Sequence, residues 1–355
     1  MSIENTECLP EALSLLLEWY SASHRLLPWR RDPTPYHTWV AEIMLQQTRI
    51  EAVIPYYERF LRELPDIRSL AAVPEDRLLK LWEGLGYYSR ARNLKKAAQI
   101  LTDYYGGELP ASAEELKKLP GIGDYTAGSI ASISFGLPEP AVDGNVLRVM
   151  TRLLACPDDI ASPATKRGFT ELLRSHYPIG EKSSHLTQAI MELGETVCLP
   201  NGAPLCQSCP LRGLCMAHTA GTELLYPVKS AKKPRRIEER TVLLLECGLR
   251  YAIRKRPSHG LLAGLWEFPS LEGRLSLEEA LKAAEALDLT SKHIETFGEA
   301  KHIFTHVEWH MLGYRVNCVE ESPYLLWKTP EEIARDLSLP TAFRKYQEKI
   351  SGVQT

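Results

Sequence analysis

Apolar residues recur at helical spacing from Pro10 to about His218, with proline and glycine as punctuation, and this predicts an all-α first domain. Leu13, Leu16, Leu17 and Tyr20 mark a helix over Glu11–Ser21, which ends in the loop Leu26–Pro33. A second helix is expected over Pro35–Gln47. It carries Trp39, Val40, Ile43, Met44 and Leu45, with Glu42 in the middle of that apolar run. Further helices are expected near Ile50–Leu61, Glu75–Leu81, Ser89–Tyr104, Val146–Leu154, Thr165–Ser175 and Ser184–Val197. From Glu239 onward the pattern changes. Thr241–Cys247 and Arg250–Arg256 flank Gly248 as hairpin strands would, Leu275–Leu287 is an amphipathic helix, and Thr296–Val307 and Glu308–Asn317 read as strands. That order predicts a compact α+β second domain.

Between the two lies a basic, proline-bearing stretch without periodicity, Leu224–Arg236. The expected division is residues 1–221, a linker at 222–238, and residues 239–355. A solvated linker is favoured over a phosphate contact for its charges.

The stretch Glu114–Asn145 departs from simple periodicity. Leu116, Leu119 and Ile122 bracket Pro120-Gly121-Ile122-Gly123, whose two glycines permit backbone that other residues cannot adopt. Tyr125–Ile130 then opens a helix with small residues along one side, so another element can approach closely. Its first N–H groups are free for an anion, naturally a phosphate. Gly136, Pro138 and Pro140 break the chain before Asp143, which taken alone reads as a helix N-cap.

Net charge is −3 and the isoelectric point is near 6.4, so nucleic-acid affinity must come from local patches. No apolar run approaches membrane-spanning length. The start, MSIENTECLPEALS, lacks a signal or transit pattern, so a cytosolic protein is expected. Four cysteines are scattered singly, while Cys198, Cys206, Cys209 and Cys215 form a C-x7-C-x2-C-x5-C cluster. That spacing indicates a thiolate site for zinc or an iron–sulfur cluster. Glu42 has Thr38, Trp39, Leu45 and Gln46 as helical neighbours, a setting that can keep a carboxyl protonated near neutrality.

Glu114–Asn145 resembles the helix-hairpin-helix plus Gly/Pro-Asp motif of DNA base-excision glycosylases. The resemblance implies a hairpin gripping the DNA backbone through Gly121, Gly123, Tyr125 and Thr126, with a monovalent or divalent cation bound there, and a catalytic Asp143. Trp39–Thr48 and Val142–Val149 fit the pattern of the adenine DNA glycosylases, the MutY family. By that resemblance Glu42 protonates the adenine ring, Asp143 stabilises the sugar cation or forms a transient adduct, Asn145 orients Asp143, and Tyr125 assists. Endonuclease III-type enzymes carry a lysine where this chain has Tyr125. The tyrosine cannot form a Schiff base, so a monofunctional glycosylase is expected.

The same resemblance implies that Arg25, Leu27, Trp29, Arg30, Leu45 and Gln188 line the adenine pocket. It implies that the loops Gln46-Gln47-Thr48 and Leu85-Gly86-Tyr87-Tyr88-Ser89 enter the duplex, with Gln47 and Tyr87 inserted beside the lesion. Ser89–Asn93 offers polar and basic groups for phosphates. The cysteines stand where these families carry a [4Fe–4S] cluster, within a loop at 198–215, although the first gap is one residue longer than usual. The second domain resembles the family's Nudix-like domain through Arg254–Arg256 and Gly264–Pro269, without the acidic cluster of Nudix hydrolases. Phe304-Thr305-His306 stands where the family has Phe-Ser-His, which reads 8-oxoguanine.

The fold expected from the resemblance is an all-α helix-hairpin-helix domain with a [4Fe–4S] cluster, plus an α+β Nudix-like domain. The expected function is removal of adenine opposite 8-oxoguanine or guanine in duplex DNA, by a monomer in the bacterial cytoplasm at the nucleoid. An endonuclease III-like pyrimidine glycosylase and lyase is the alternative. A non-catalytic iron–sulfur DNA scaffold and a nucleotide hydrolase rank below it.

Overall fold

The computed structural model describes residues 6–231 and 234–352. Met1–Asn5 of the expected cytosolic start, and Lys232 and Lys233 of the expected linker, lie outside the described residues. Two compact units emerge, Met1–Val73 with Arg92–Ala231, and Pro74–Ala91 with Lys232–Thr355. The change at Ala231 falls inside the stretch expected as a linker. The grouping of Pro74–Ala91 with the second unit had no counterpart in the sequence pattern.

The first unit is helical throughout its described residues. Before the second unit's segment it contains α1 (Leu9–Ser23), α2 (Pro28–Arg31), α3 (Pro35–Leu45), α4 (Ile50–Glu63) and α5 (Ile67–Ala72). In chain order α6 (Glu75–Trp82) belongs to the second unit, and α7 (Ser89–Tyr104) begins in it. The first unit continues with α8 (Ala113–Leu116), α9 (Asp124–Phe135), α10 (Gly144–Leu153), α11 (Pro163–Arg174), α12 (Glu181–Thr196) and α13 (Met216–Thr219). Its core is built by the apolar stripes of α1, α10, α11 and α12, including Leu13, Leu16, Val149, Met150, Phe169, Leu186 and Ile190. Glycine permits two close approaches here. A Cβ on Gly128 of α9 would meet the Pro140 carbonyl at 2.7 Å, and one on Gly194 of α12 would meet Asn145 Cβ at 2.8 Å. The small side of α9 therefore receives the extended segment before Asp143.

The second unit is a mixed sheet built from β1 (Arg236–Cys247), β2 (Arg250–Lys255), β3 (Trp266–Glu267), β4 (Ser270–Glu272), β5 (Ser291–Ile303), β6 (Val307–Cys318) and β7 (Leu326–Lys328). The order is β3-β2-β1-β6-β5, with β4 on β1 and β7 on β2; β1 and β6 run parallel. Besides α6, the described residues of this unit include the helices α14 (Leu277–Glu285), α15 (Pro330–Asp336) and α16 (Arg344–Ile350). Val242 and Leu244 pack with Ile333, Phe343 and Tyr346, whereas Leu243 and Leu245 pack with Ala280 and Ala284. Both faces are covered, which is why β1 reads as an unbroken apolar run.

Candidate active site

The α8–α9 turn is the expected hairpin, with a first helix of only one turn. Gly121 sits at φ +81, in the left-handed region that favours glycine. Gly123 does not: at φ −97 and ψ −175 it is ordinary extended backbone serving as the N-cap of α9, so the expectation of unusual backbone holds for one glycine of the two. Both glycines are exposed, and the first N–H groups of α9 have no intrahelical acceptor. The side chain of Thr126 is buried, so only its backbone can face a phosphate.

A cavity of about 750 Å³ opens within the first unit. Of the residues expected in the adenine pocket, Arg25, Leu27, Trp29, Arg30, Leu45 and Gln188 all line it, together with Thr48, Glu42, Tyr125, Asp143 and Asn145. Gln46, expected in the loop that enters the duplex, is half-buried, and its Nε2 donates to Thr126 Oγ1 at 3.2 Å, tying the end of α3 to the hairpin helix. Gln47 is exposed with φ +59. In the second unit, Tyr87 is exposed with φ +47, while Leu85 and Tyr88 beside it are buried and Ser89 is exposed. The two residues expected to enter the duplex thus both hold the left-handed backbone that non-glycine residues rarely adopt. Arg90 was read with its neighbours as a phosphate contact. It is instead buried, donating to Leu85 O at 3.1 Å and stacking against Trp82 and Tyr87, so it shapes the turn. Thr305 and His306 are exposed at the tip between β5 and β6, and Phe304 packs edge-on against His302 and Trp309.

The carboxyl groups of the cavity are treated differently by their surroundings. Asp143 caps α10: Oδ1 accepts from Val146 N at 2.8 Å and Oδ2 from Asn145 Nδ2 at 3.0 Å. Asn145 is itself held by Arg148 Nη2 at 2.8 Å. Burial raises the Asp143 pKa, and these N–H donors and the Arg148 charge oppose the rise. Glu42, in the buried face of α3, has an oxygen with no protein hydrogen-bond partner, as do Thr38 Oγ1 and Ser134 Oγ on the same lining. Burial pushes the Glu42 carboxyl up to about 7; nearby Tyr125 and Ser129 oppose the rise and the Asp143 charge adds to it. Burial and both carboxylates also hold the Tyr125 phenol well above its ordinary value, so it stays neutral. Unpaired polar atoms around one cavity call for a polar ligand that would satisfy them.

Glu192 was not anticipated. It is buried on α12, where Arg25 Nε and Nη2 reach its two oxygens at 2.6 and 3.0 Å and Arg30 Nη2 adds a bond at 2.9 Å. Arg25 also pairs with Glu195 at 3.0 Å. The two arginines expected to face the base are therefore largely engaged by carboxylates. A charged residue inside the apolar run Ile190-Met191-Glu192-Leu193 is the same signal that singled out Glu42, and it could have found this one.

Cys198, Cys206, Cys209 and Cys215 line one small cavity beside α10 and α12. A tetrahedral zinc site would place its sulfurs about 3.8 Å apart. No three of these sulfurs come within 4.8 Å of one another. The one such donor group among the described residues joins Cys206 to His218 and Glu223. All four thiols face that one cavity, so the lining offers the donors of a thiolate-held metal centre. Arg152 Nη1 donates to Cys198 Sγ at 3.3 Å.

With this geometry in place, residues 40–175 match the HhH-GPD superfamily base excision DNA repair protein family, and residues 241–349 match the NUDIX domain. The human protein named adenine DNA glycosylase is 34% identical over 95% of this chain and 74% of its own length. The protein of that name from Buchnera aphidicola subsp. Baizongia pistaciae is 34% identical over 96% of this chain and 97% of its own. The chain belongs to the adenine DNA glycosylase family. A solved non-covalent endonuclease III–DNA complex is similar to the helical part, at TM-score 0.51 and 28% identity, covering 61% of this chain and 98% of that one. This family member thus has a helical unit on the endonuclease III pattern and, in a separate unit, a Nudix-type sheet. No helix among the described residues is long and apolar enough to cross a membrane.

Proposed function

We propose that the chain hydrolyses the N-glycosidic bond of adenine mispaired with 8-oxoguanine or guanine in duplex DNA, as a monomer, leaving an abasic site in an intact strand. The observation that carries this reading is one cavity holding a carboxyl raised to about 7 beside a carboxylate held by N–H donors. Glu42 gives its proton to a ring nitrogen of the flipped adenine, which makes the base a neutral leaving group as the bond to the sugar breaks. Asp143, oriented by Asn145, stabilises the cationic sugar until water adds to it and returns a proton. Tyr125 stays neutral and offers no amine for strand cleavage.

Arg25, Leu27, Trp29, Arg30, Leu45 and Gln188 would enclose the base, and Gln47 and Tyr87 would fill the space it vacates. Phe304, Thr305 and His306 would read the opposite base. The hairpin amides at Gly121, Gly123, Tyr125 and Thr126, with a bound cation, would hold the backbone. A [4Fe–4S] cluster on Cys198, Cys206, Cys209 and Cys215 would cross-link the loop behind α10 and α12. The setting is the cytoplasm at the nucleoid of a bacterium.

Single-turnover assays on duplexes bearing adenine opposite 8-oxoguanine, adenine opposite guanine, or an oxidised pyrimidine test this. The expected result is adenine release, fastest opposite 8-oxoguanine, with an uncut strand. Pyrimidine release with strand cleavage would contradict it, as would release of no base.

A further inference from the structure

Within the second unit, Lys80 closes the last turn of α6 and reaches the C-terminal end of α15. Its ammonium donates to Ala334 O at 2.5 Å and Leu337 O at 2.9 Å, carbonyls that a helix end leaves without intrahelical partners. The same ammonium meets Glu83 Oε2 at 2.6 Å, and the other oxygen of Glu83 accepts from Leu339 N at 2.8 Å. The Lys80 side chain is 16% exposed and that of Glu83 25% exposed, so this is a largely desolvated anchor. The Asp76–Lys255 pair at the other end of α6, about half exposed on each side, holds far less.

From the anchor the chain enters a turn whose shape is heavily specified. Gly84, Gly86 and Tyr87 are all left-handed, Trp82 Nε1 donates to Gly86 O at 3.1 Å, and Arg90 bonds Leu85 O. The turn ends with the Tyr87 hydroxyl 2.9 Å from Thr305 Oγ1. We propose that Lys80 and Glu83 are positioning residues for opposite-base recognition: by pinning α6 to α15 and to Leu339, they hold Tyr87 on Thr305 so that both probe the DNA as one body. This rests on the reading of Thr305 given above. A free Tyr87 turn would pay an ordering cost on each encounter that the anchored one has already met.

The test uses the full-length, cluster-loaded protein and compares single-turnover adenine release opposite 8-oxoguanine with release opposite guanine. Lys80→Ala is expected to lower that ratio by about tenfold, by slowing release opposite 8-oxoguanine, with release opposite guanine changed less than about twofold. Lys80→Arg, which can still donate to both carbonyls and to Glu83, should restore the ratio. In a Thr305→Ala background Lys80→Ala should lower it no further. Equal loss on both duplexes would overturn the inference, as would an undiminished effect of Lys80→Ala in the Thr305→Ala background. Should Lys80→Ala fail to fold, Glu83→Ala is judged by the same two criteria. A wild-type ratio near one would overturn the opposite-base reading of Thr305, and this inference with it.

Discussion

Glu42 and Glu192 line the same cavity and are both shut off from water, yet they are in opposite electrostatic states. Burial works to raise the pKa of each. At Glu192 the hydrogen bonds from Arg25 and the charge of Arg30 outweigh it and hold the group below its ordinary value. At Glu42 no cation touches the carboxyl, and the value climbs to about 7. The difference teaches which carboxyl is structural and which is free to do chemistry: one has every oxygen occupied, and the other keeps an oxygen unpaired.

The largest effect should come from removing the proton that the contrast assigns to Glu42. Glu42→Gln is expected to slow single-turnover adenine release by about 10³-fold or more, and Asp143→Asn by a comparable factor. Retained release in either variant would break the comparison. The same Glu42→Gln change should stabilise the protein at high pH. The folded-state pKa is raised above the unfolded value, so stability is fully present below about 4.5 and is lost as pH rises through about 7. At pH 8 the native protein carries up to roughly 3 kcal/mol of that penalty, and glutamine carries none. Thermal melts at pH 5 and pH 8 should therefore show Glu42→Gln gaining on the wild type only at the higher pH.

At Glu192 the sign reverses. Glu192→Ala leaves two arginines without their shared partner and is expected to destabilise by about 3 kcal/mol, somewhat less to the extent that Arg25 is solvated, with chemical denaturation as the readout. A stability change near zero would mean the arginines relax into water and the carboxylate is not structural. Smaller still, Asn145→Ala should cost about ten- to a hundredfold in release with little change in melting temperature, since it loosens one bond to Asp143 and leaves the cap from Val146 in place.

The part of this contrast that the sequence carried was the apolar surround of Glu42, together with the N-cap position of Asp143, because both depend on neighbours within one turn of helix. The helices, the hairpin and the cysteine cluster are local in the same way. The Arg25 and Arg30 partners were not legible, since Glu192 lies more than 160 residues away and only the packing of α12 beside α1 brings it there. The grouping of Pro74–Ala91 with the sheet unit was hidden for the same reason: Lys80 meets carbonyls 254 and 257 residues downstream. Gly123 and Arg90 were misjudged because residue type alone does not fix φ or tell an exposed arginine from one folded back onto its own turn.

The most direct test of the Glu42 assignment is the pH dependence of single-turnover adenine release from a duplex with adenine opposite 8-oxoguanine, between pH 5 and 9. A group that must be protonated and titrates near 7 predicts a rate that falls about tenfold per pH unit above that point, whatever loss protonation of Asp143 adds on the acid side. A rate that is flat or rising through pH 7 would contradict the assignment of Glu42 as the acid.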